Sequence, residues 1–201
     1  MRTFAVLLVL AAWAQPAAGF AGAAPQSEYR LHPGPQGYHA MCARAPRLCM
    51  HDRRAGRSAG SSPPVHLGPS GLTALQTLNA ELNQRIRPTS DLEAHGVADH
   101  WSLPGQIGDC EDYVIAKKQA LLAHGWSADQ LLYAVVQRGT GHHAVLIVRT
   151  DRGELVLDNL HDQILTWQES GYRFVTRQSA SAPDRWVHLT RNGASAALFT
   201  R

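Results

Sequence analysis

The chain has 201 residues, 44% of them hydrophobic and 17% charged, with a formal net charge of +3 at pH 7. That is the composition of one ordinary globular domain large enough for a proper core. The basic residues are scattered arginines, grouped only at Arg53-Arg54 and Arg57, which excludes a nucleic-acid footprint; past the N-terminus no apolar run of ~18 residues offers a membrane span.

Arg2, the apolar run from Phe4 to Trp13 and the small residues at Ala17-Ala18-Gly19 and Gly19-Phe20-Ala21 read as a secretory signal over residues 1–21. An uncleaved anchor is the competing reading, but the apolar run is short and Gln15-Pro16 breaks it. A periplasmic or secreted location is therefore expected. In an oxidising compartment Cys42 and Cys49 can close a short loop as a disulfide, and no Cys/His pair at ligand spacing accompanies them to make a metal site. Cys110 is then left over, either an intermolecular partner or a reactive thiol. Residues 22–52 read as irregular, and residues 53–70, rich in Gly, Ser and Pro, as a loop. The expected organisation is a signal peptide over 1–21, an N-terminal extension and linker over 22–69, and one domain over 70–201.

Ser70 or Thr73 is expected to cap a helix carrying Leu72, Leu75, Leu78, Leu82 and Ile86, ended by Pro88. Asn79 and Asn83 lie one turn apart on it and read as solvated or capping groups. A loop through Asp91, Gly96, Asp99, Trp101 and Pro104 leads to a second helix. Asp109 is a good N-cap for it, Asp112 gives an acidic variant of the capping box, Val114, Ile115, Ala116, Leu121 and Leu122 supply a buried stripe, and Gly125 suits C′. Strands follow at Leu131 to Gln137, His143 to Arg149, Glu154 to Leu160, Tyr172 to Thr176 and Trp186 to Thr190. Helices first and consecutive antiparallel strands after them predict an α+β fold, with helices packed on one sheet.

Cys110 falls in the first turn of its helix, where unpaired N–H groups favour a thiolate, although a lone cysteine is as readily a small buried hydrophobe. If the Thr150–Gly153 connection holds an even number of loop residues, Arg149 pairs with Glu154, and His143 lies diagonal to Asp158 on one sheet face. An odd loop or a bulge would put His142 in that role. Cys110, His143 and Asp158 can then converge as a Cys-His-Asp nucleophilic site: the imidazole takes and returns a proton while the carboxylate holds its tautomer. Gln106 or Trp101 could add a side-chain donor to the Cys110 backbone N–H in an oxyanion hole.

Gly108-Asp-Cys-Glu-Asp-Tyr113, Gly141-His-His-Ala-Val-Leu146 and Val156-Leu-Asp-Asn159 resemble the bacterial transglutaminase-like cysteine proteinases. The likeness extends over roughly residues 70–190, and the family includes LapG-type periplasmic proteases that release large surface adhesins. It implies a papain-like/transglutaminase-like core with Cys110, His143 and Asp158 as the triad. It also implies a protein substrate such as a large surface adhesin, a membrane-anchored regulator, and calcium held by Asp109 and Glu111, with Asp112 a further candidate. The calcium has a physical logic: acids around Cys110 raise a thiol pKa, and a hard cation taking their oxygens reverses that field. An exported cysteine endopeptidase working through an acyl-enzyme is the leading expectation. A transglutaminase or peptidoglycan amidase with the same triad, and a non-catalytic calcium-dependent binding protein, are the alternatives.

Overall fold

The computed structural model describes residues 27–55 and 62–190; the signal-like segment 1–21 lies outside the described residues. Among the described residues nine strands fall at Ser27–His32 (β1), Arg87–Pro88 (β2), Ile107–Gly108 (β3), Leu131–Arg138 (β4), Gly141–Thr150 (β5), Gly153–Leu157 (β6), Leu165–Thr166 (β7), Arg173–Gln178 (β8) and Trp186–Thr190 (β9). The helices are Gln36–Arg44 (α1), Met50–Ala55 (α2), Pro69–Arg85 (α3), Asp91–His95 (α4) and Cys110–Ala123 (α5). Seven strands form one antiparallel sheet in the order β1-β9-β8-β4-β5-β6-β7, while β2 and β3 make a small parallel pair that brings the segments before α4 and α5 together. This is the α+β architecture expected from helices followed by consecutive strands.

The sheet is buried on both faces. Ala144, Leu146 and Val148 of β5 point into the larger core with Val114, Ile115 and Leu121 of α5 and Leu75 of α3. Val145 and Ile147 point the other way, into a second cluster with Leu132, Ala134, Val136, Val156, Trp167 and Phe174. The two-residue period of a strand is what sorts them.

Reading residues 22–52 as irregular is corrected for the part described. β1 pairs with β9 at the sheet edge, and α1 sends Tyr38 and Met41 into the main core. Sequence periodicity is weak there because long-range partners hold the segment. Cys42 and Cys49 are joined, with Cα atoms 5.6 Å apart. Asp52, fully buried, accepts from Lys118 Nζ at 2.6 Å and from the Tyr38 hydroxyl at 2.9 Å, while Gln178 bridges Lys118 and Asp52 at 3.0 and 3.2 Å. A buried charge without its partner costs about 3–5 kcal/mol, so this network fastens the N-terminal segment to α5 and β8.

Two further expectations change. Helix α3 starts at Pro69 with Gly68 as N-cap, rather than being capped by Ser70 or Thr73; proline suits the first helical position, where its missing N–H costs nothing. The stretch after Thr89 is not all loop: the Ser90 hydroxyl accepts from Glu93 N–H and starts α4.

Candidate active site

The connection between β5 and β6 holds Asp151 and Arg152, so Thr150 pairs with Gly153 and Arg149 with Glu154. That even register carries Asp158, one residue past β6, to the start of β5. His143 is buried there, and its Nε2 lies 2.8 Å from Asp158 Oδ1. Its neighbour His142 is exposed. The Leu160 N–H donates to Asp158 Oδ1 at 3.0 Å and the Tyr172 hydroxyl to Oδ2 at 2.7 Å, with the Tyr172 ring beside the imidazole at 5.9 Å between centroids. Burial alone would raise the Asp158 pKa, but His143 and these two donors more than offset it and hold the carboxyl below its ordinary range. An ionised carboxylate only accepts, so Nε2 carries the proton and Nδ1 is left as the basic nitrogen.

The loop carrying Asp158 is held from α3. Asn83 Nδ2 donates to Asp158 O and to Asp162 Oδ1, both at 2.9 Å, and Asn79 Nδ2 donates to His161 O and Asp162 O, also at 2.9 Å. Asn79 is fully buried. The reading of this pair as solvated or capping groups is therefore corrected. Their one-turn spacing was the available signal, but the partners lie some 80 residues away, beyond any local pattern.

Cys110 begins α5, with Asp109 at the N-cap position. The capping itself differs from expectation: Asp109 makes no side-chain cap bond, and Asp112 turns out to accept from Ser102 N–H at 2.8 Å and Ser102 Oγ at 3.2 Å. Gly108 permits this, since a Cβ there would meet the Asp112 Cβ and Oδ2 at 2.7 Å. The half-buried Cys110 sulfur donates to Glu111 Oε2 at 2.9 Å. Burial pushes the thiol pKa up, the Glu111 carboxylate adds to this, and the backbone N–H of Ala144, next to His143, pulls the other way. The structure thus sets the sulfur beside the His143–Ala144 backbone, yet no hydrogen bond joins Cys110 to His143; the thiol proton is directed at Glu111.

Asp91, His95 and Asp112 gather beside this helix start, one ligand atom of each lying within 4.8 Å of the others. Asp91 accepts from the His100 N–H. Burial and the charge of Asp91 raise the Asp109 pKa; burial, then Asp109 and Asp91, raise Asp112 to about 7. Glu111 is lifted to about 8, chiefly by burial and also by Asp109. Asp109 Oδ1 is buried without a hydrogen-bond partner among the described residues. Carboxylates crowded at one helix start and a buried oxygen without a partner are the donor set that a hard cation takes, so the residues fit calcium. Asp91 reads in the sequence as a loop residue and His95 carries no signal of its own, because the short helix α4 that puts them on one turn is not expected there.

The two oxyanion candidates part company. Trp101 is buried edge-on among Tyr38, Tyr133 and Trp186, a core position, whereas Gln106 is exposed just before β3.

The family model of the bacterial transglutaminase-like cysteine proteinases matches residues 28–194. Among solved structures, the chain is similar to Legionella pneumophila LapG at 26% identity, over 58% of this chain and 68% of that one, with a TM-score of 0.47. Against calcium-bound Legionella pneumophila LapG the identity is 26%, over 62% and 74% of the two chains, with a TM-score of 0.49. Against the EGTA-treated protein it is 26%, over 59% and 67%, with a TM-score of 0.47. A comparison with curated proteins gives no match.

Proposed function

The chain belongs to the bacterial transglutaminase-like cysteine proteinases and is a cysteine peptidase acting on protein, and from that premise we propose that Cys110, His143 and Asp158 are its triad and that calcium controls the nucleophile. The observation that carries this reading is the buried His143–Asp158 pair, whose free Nδ1 belongs to the residue next to the Ala144 N–H that faces the Cys110 sulfur.

His143 Nδ1 takes the thiol proton, and the sulfur attacks the scissile carbonyl carbon. The Cys110 backbone N–H and the Gln106 amide meet the oxyanion. As the C–N bond breaks, His143 returns its proton to the leaving amine, leaving a thioester on Cys110. Water, deprotonated by Nδ1, then releases the acid and restores the thiol. Asp158 keeps the imidazole in the Nδ1-basic tautomer and balances its charge when protonated.

Glu111 stands in the way of the first step, because its carboxyl oxygen holds the thiol proton away from His143. Asp91, Asp109 and Asp112 would hold calcium, joined by Glu111 when its carboxylate leaves the sulfur, with His95 at the rim. When bound, the ion supplies positive charge beside the sulfur. We assign the enzyme to the periplasm or the exterior of the cell, with a large surface adhesin as substrate and a membrane-anchored regulator. The signal-like N-terminal sequence and the Cys42–Cys49 bridge support that location.

A peptidyl vinyl sulfone tests the reading. It is expected to label Cys110 with calcium present and at least ~10-fold more slowly with a chelator. Asp91→Asn should need at least ~10-fold more calcium for the same labelling, as expected from losing a charged ligand. Equal labelling of both proteins with and without calcium would sink the proposal.

A further inference from the structure

Tyr172 reaches Asp158 from a turn built for the purpose between β7 and β8. The Thr166 N–H and hydroxyl donate to Glu169 Oε2 at 2.9 and 2.8 Å, and the Glu169 N–H donates back to Thr166 Oγ1 at 3.2 Å. The turn ends at Gly171, whose φ of 67° suits glycine, and the chain passes through Tyr172 into β8. Strand pairing then sets the side chain's place. Phe174 of β8 and His143 of β5 both pair with Val136, on the β4 strand between them. Tyr172, two residues before Phe174, packs with it and Trp167 on the same side of the sheet. There its ring centroid lies 5.9 Å from that of the His143 imidazole, tilted by 57°, and its hydroxyl donates to Asp158 Oδ2 at 2.7 Å. The two carboxylate oxygens are thus divided. Oδ1 meets His143 Nε2 and the Leu160 N–H, whereas among the described residues the Tyr172 hydroxyl is the one donor to Oδ2. A phenylalanine would pack as well on Trp167 and Phe174, so packing alone does not call for the hydroxyl.

We propose that Tyr172 is a positioning residue for the reaction: by holding Oδ2, its hydroxyl fixes the rotation of the Asp158 carboxylate and so keeps Oδ1 on His143 Nε2 and Nδ1 free as the base. This rests on the triad reading above. Tyr172 acts through Asp158, not on the sulfur. Without the hydroxyl, Oδ2 has no partner in a residue only 3% exposed, and the carboxylate is free to turn away from the imidazole. A charge-assisted bond to the ionised form is also lost, so the carboxyl protonates at higher pH. Burial, then the bond to Asp158, push the Tyr172 phenol's own pKa up, against a smaller pull from Arg138 of β4, and the phenol stays a donor throughout the neutral range.

The test is Tyr172→Phe in the calcium-loaded chain, which keeps the ring and its packing and removes one oxygen, so the variant is expected to fold; melting temperature checks this. The Asp158 side-chain carboxyl, followed by NMR, is expected to titrate about half a unit or more above its wild-type position. In peptide hydrolysis kcat is expected to fall about 5-fold or more while KM stays within about two-fold. A tyrosine that only fills space would leave both readings at wild-type values, and that overturns the proposal. So does either reading alone staying unmoved: a shifted titration with unchanged kcat means the reaction does not feel the hydroxyl, and a lowered kcat with an unshifted titration means the effect does not pass through Asp158. The titration does not use turnover. An inert Cys110 would therefore defeat the triad and leave the titration shift standing, whereas an unmoved titration in an enzyme that His143→Gln still disables would defeat this inference alone.

Discussion

Cys110→Ala is expected to lower peptide hydrolysis by at least ~10⁴-fold, leaving only what substrate binding and the oxyanion donors contribute. The reason is specific to the sulfur. It sits at the start of α5 against the Ala144 N–H, and no other free cysteine lies among the described residues. Cys110→Ser should fare little better, because a hydroxyl is far less acidic than a thiol and no group here is placed to compensate. Both variants should fold, since the side chain is only half-buried and its one hydrogen bond runs to Glu111. Circular dichroism and melting temperature check this alongside activity. Substantial turnover by a folded alanine variant would move the nucleophile elsewhere.

The second large effect separates the two adjacent histidines. His143→Gln is expected to cost ~10²–10⁴-fold in kcat, the usual worth of a positioned general base. Glutamine is the right replacement because its amide can still donate to Asp158, so the buried carboxylate is not stranded. His142→Ala should change the rate less than about two-fold, since His142 is exposed and it is His143 whose Nε2 meets Asp158. Reversal of that order would mean that β5 shifts by one residue in the working enzyme, which the pairing of Arg149 with Glu154 argues against.

Much of this site was readable from residue patterns. Asp109 and Gly125 bracket α5, and the Asp151-Arg152 turn sets the register that brings Asp158 to His143. These are local rules of helix ends and strand pairing; they give the positions without a distant partner, although Asp109 makes no side-chain cap bond. What was not readable depends on the third dimension. Asp112 matched a capping pattern but was drawn off by Ser102, ten residues upstream. Lys117 and Lys118 look like the polar face of a helix, yet both are fully buried, in a run from Asp112 to Lys118 that is buried throughout. Residues 27–55 carry little periodicity and are ordered by β9, the Asp52 network and a disulfide. In each case a partner remote in sequence overrode the local signal.

The central claim is that Cys110 is a nucleophile whose ionisation the neighbouring acids restrain and calcium releases. Iodoacetamide alkylation of Cys110 across pH, with calcium and then with chelator, tests it most directly. With the cation absent, burial and Glu111 hold the thiol pKa up, so the neutral form dominates near pH 7 and alkylation should rise only in strong base. With calcium, the apparent pKa should fall below the unperturbed value of about 8.5, and alkylation at pH 7 should speed up at least ~10-fold. One slow profile, the same in both conditions, would contradict the account.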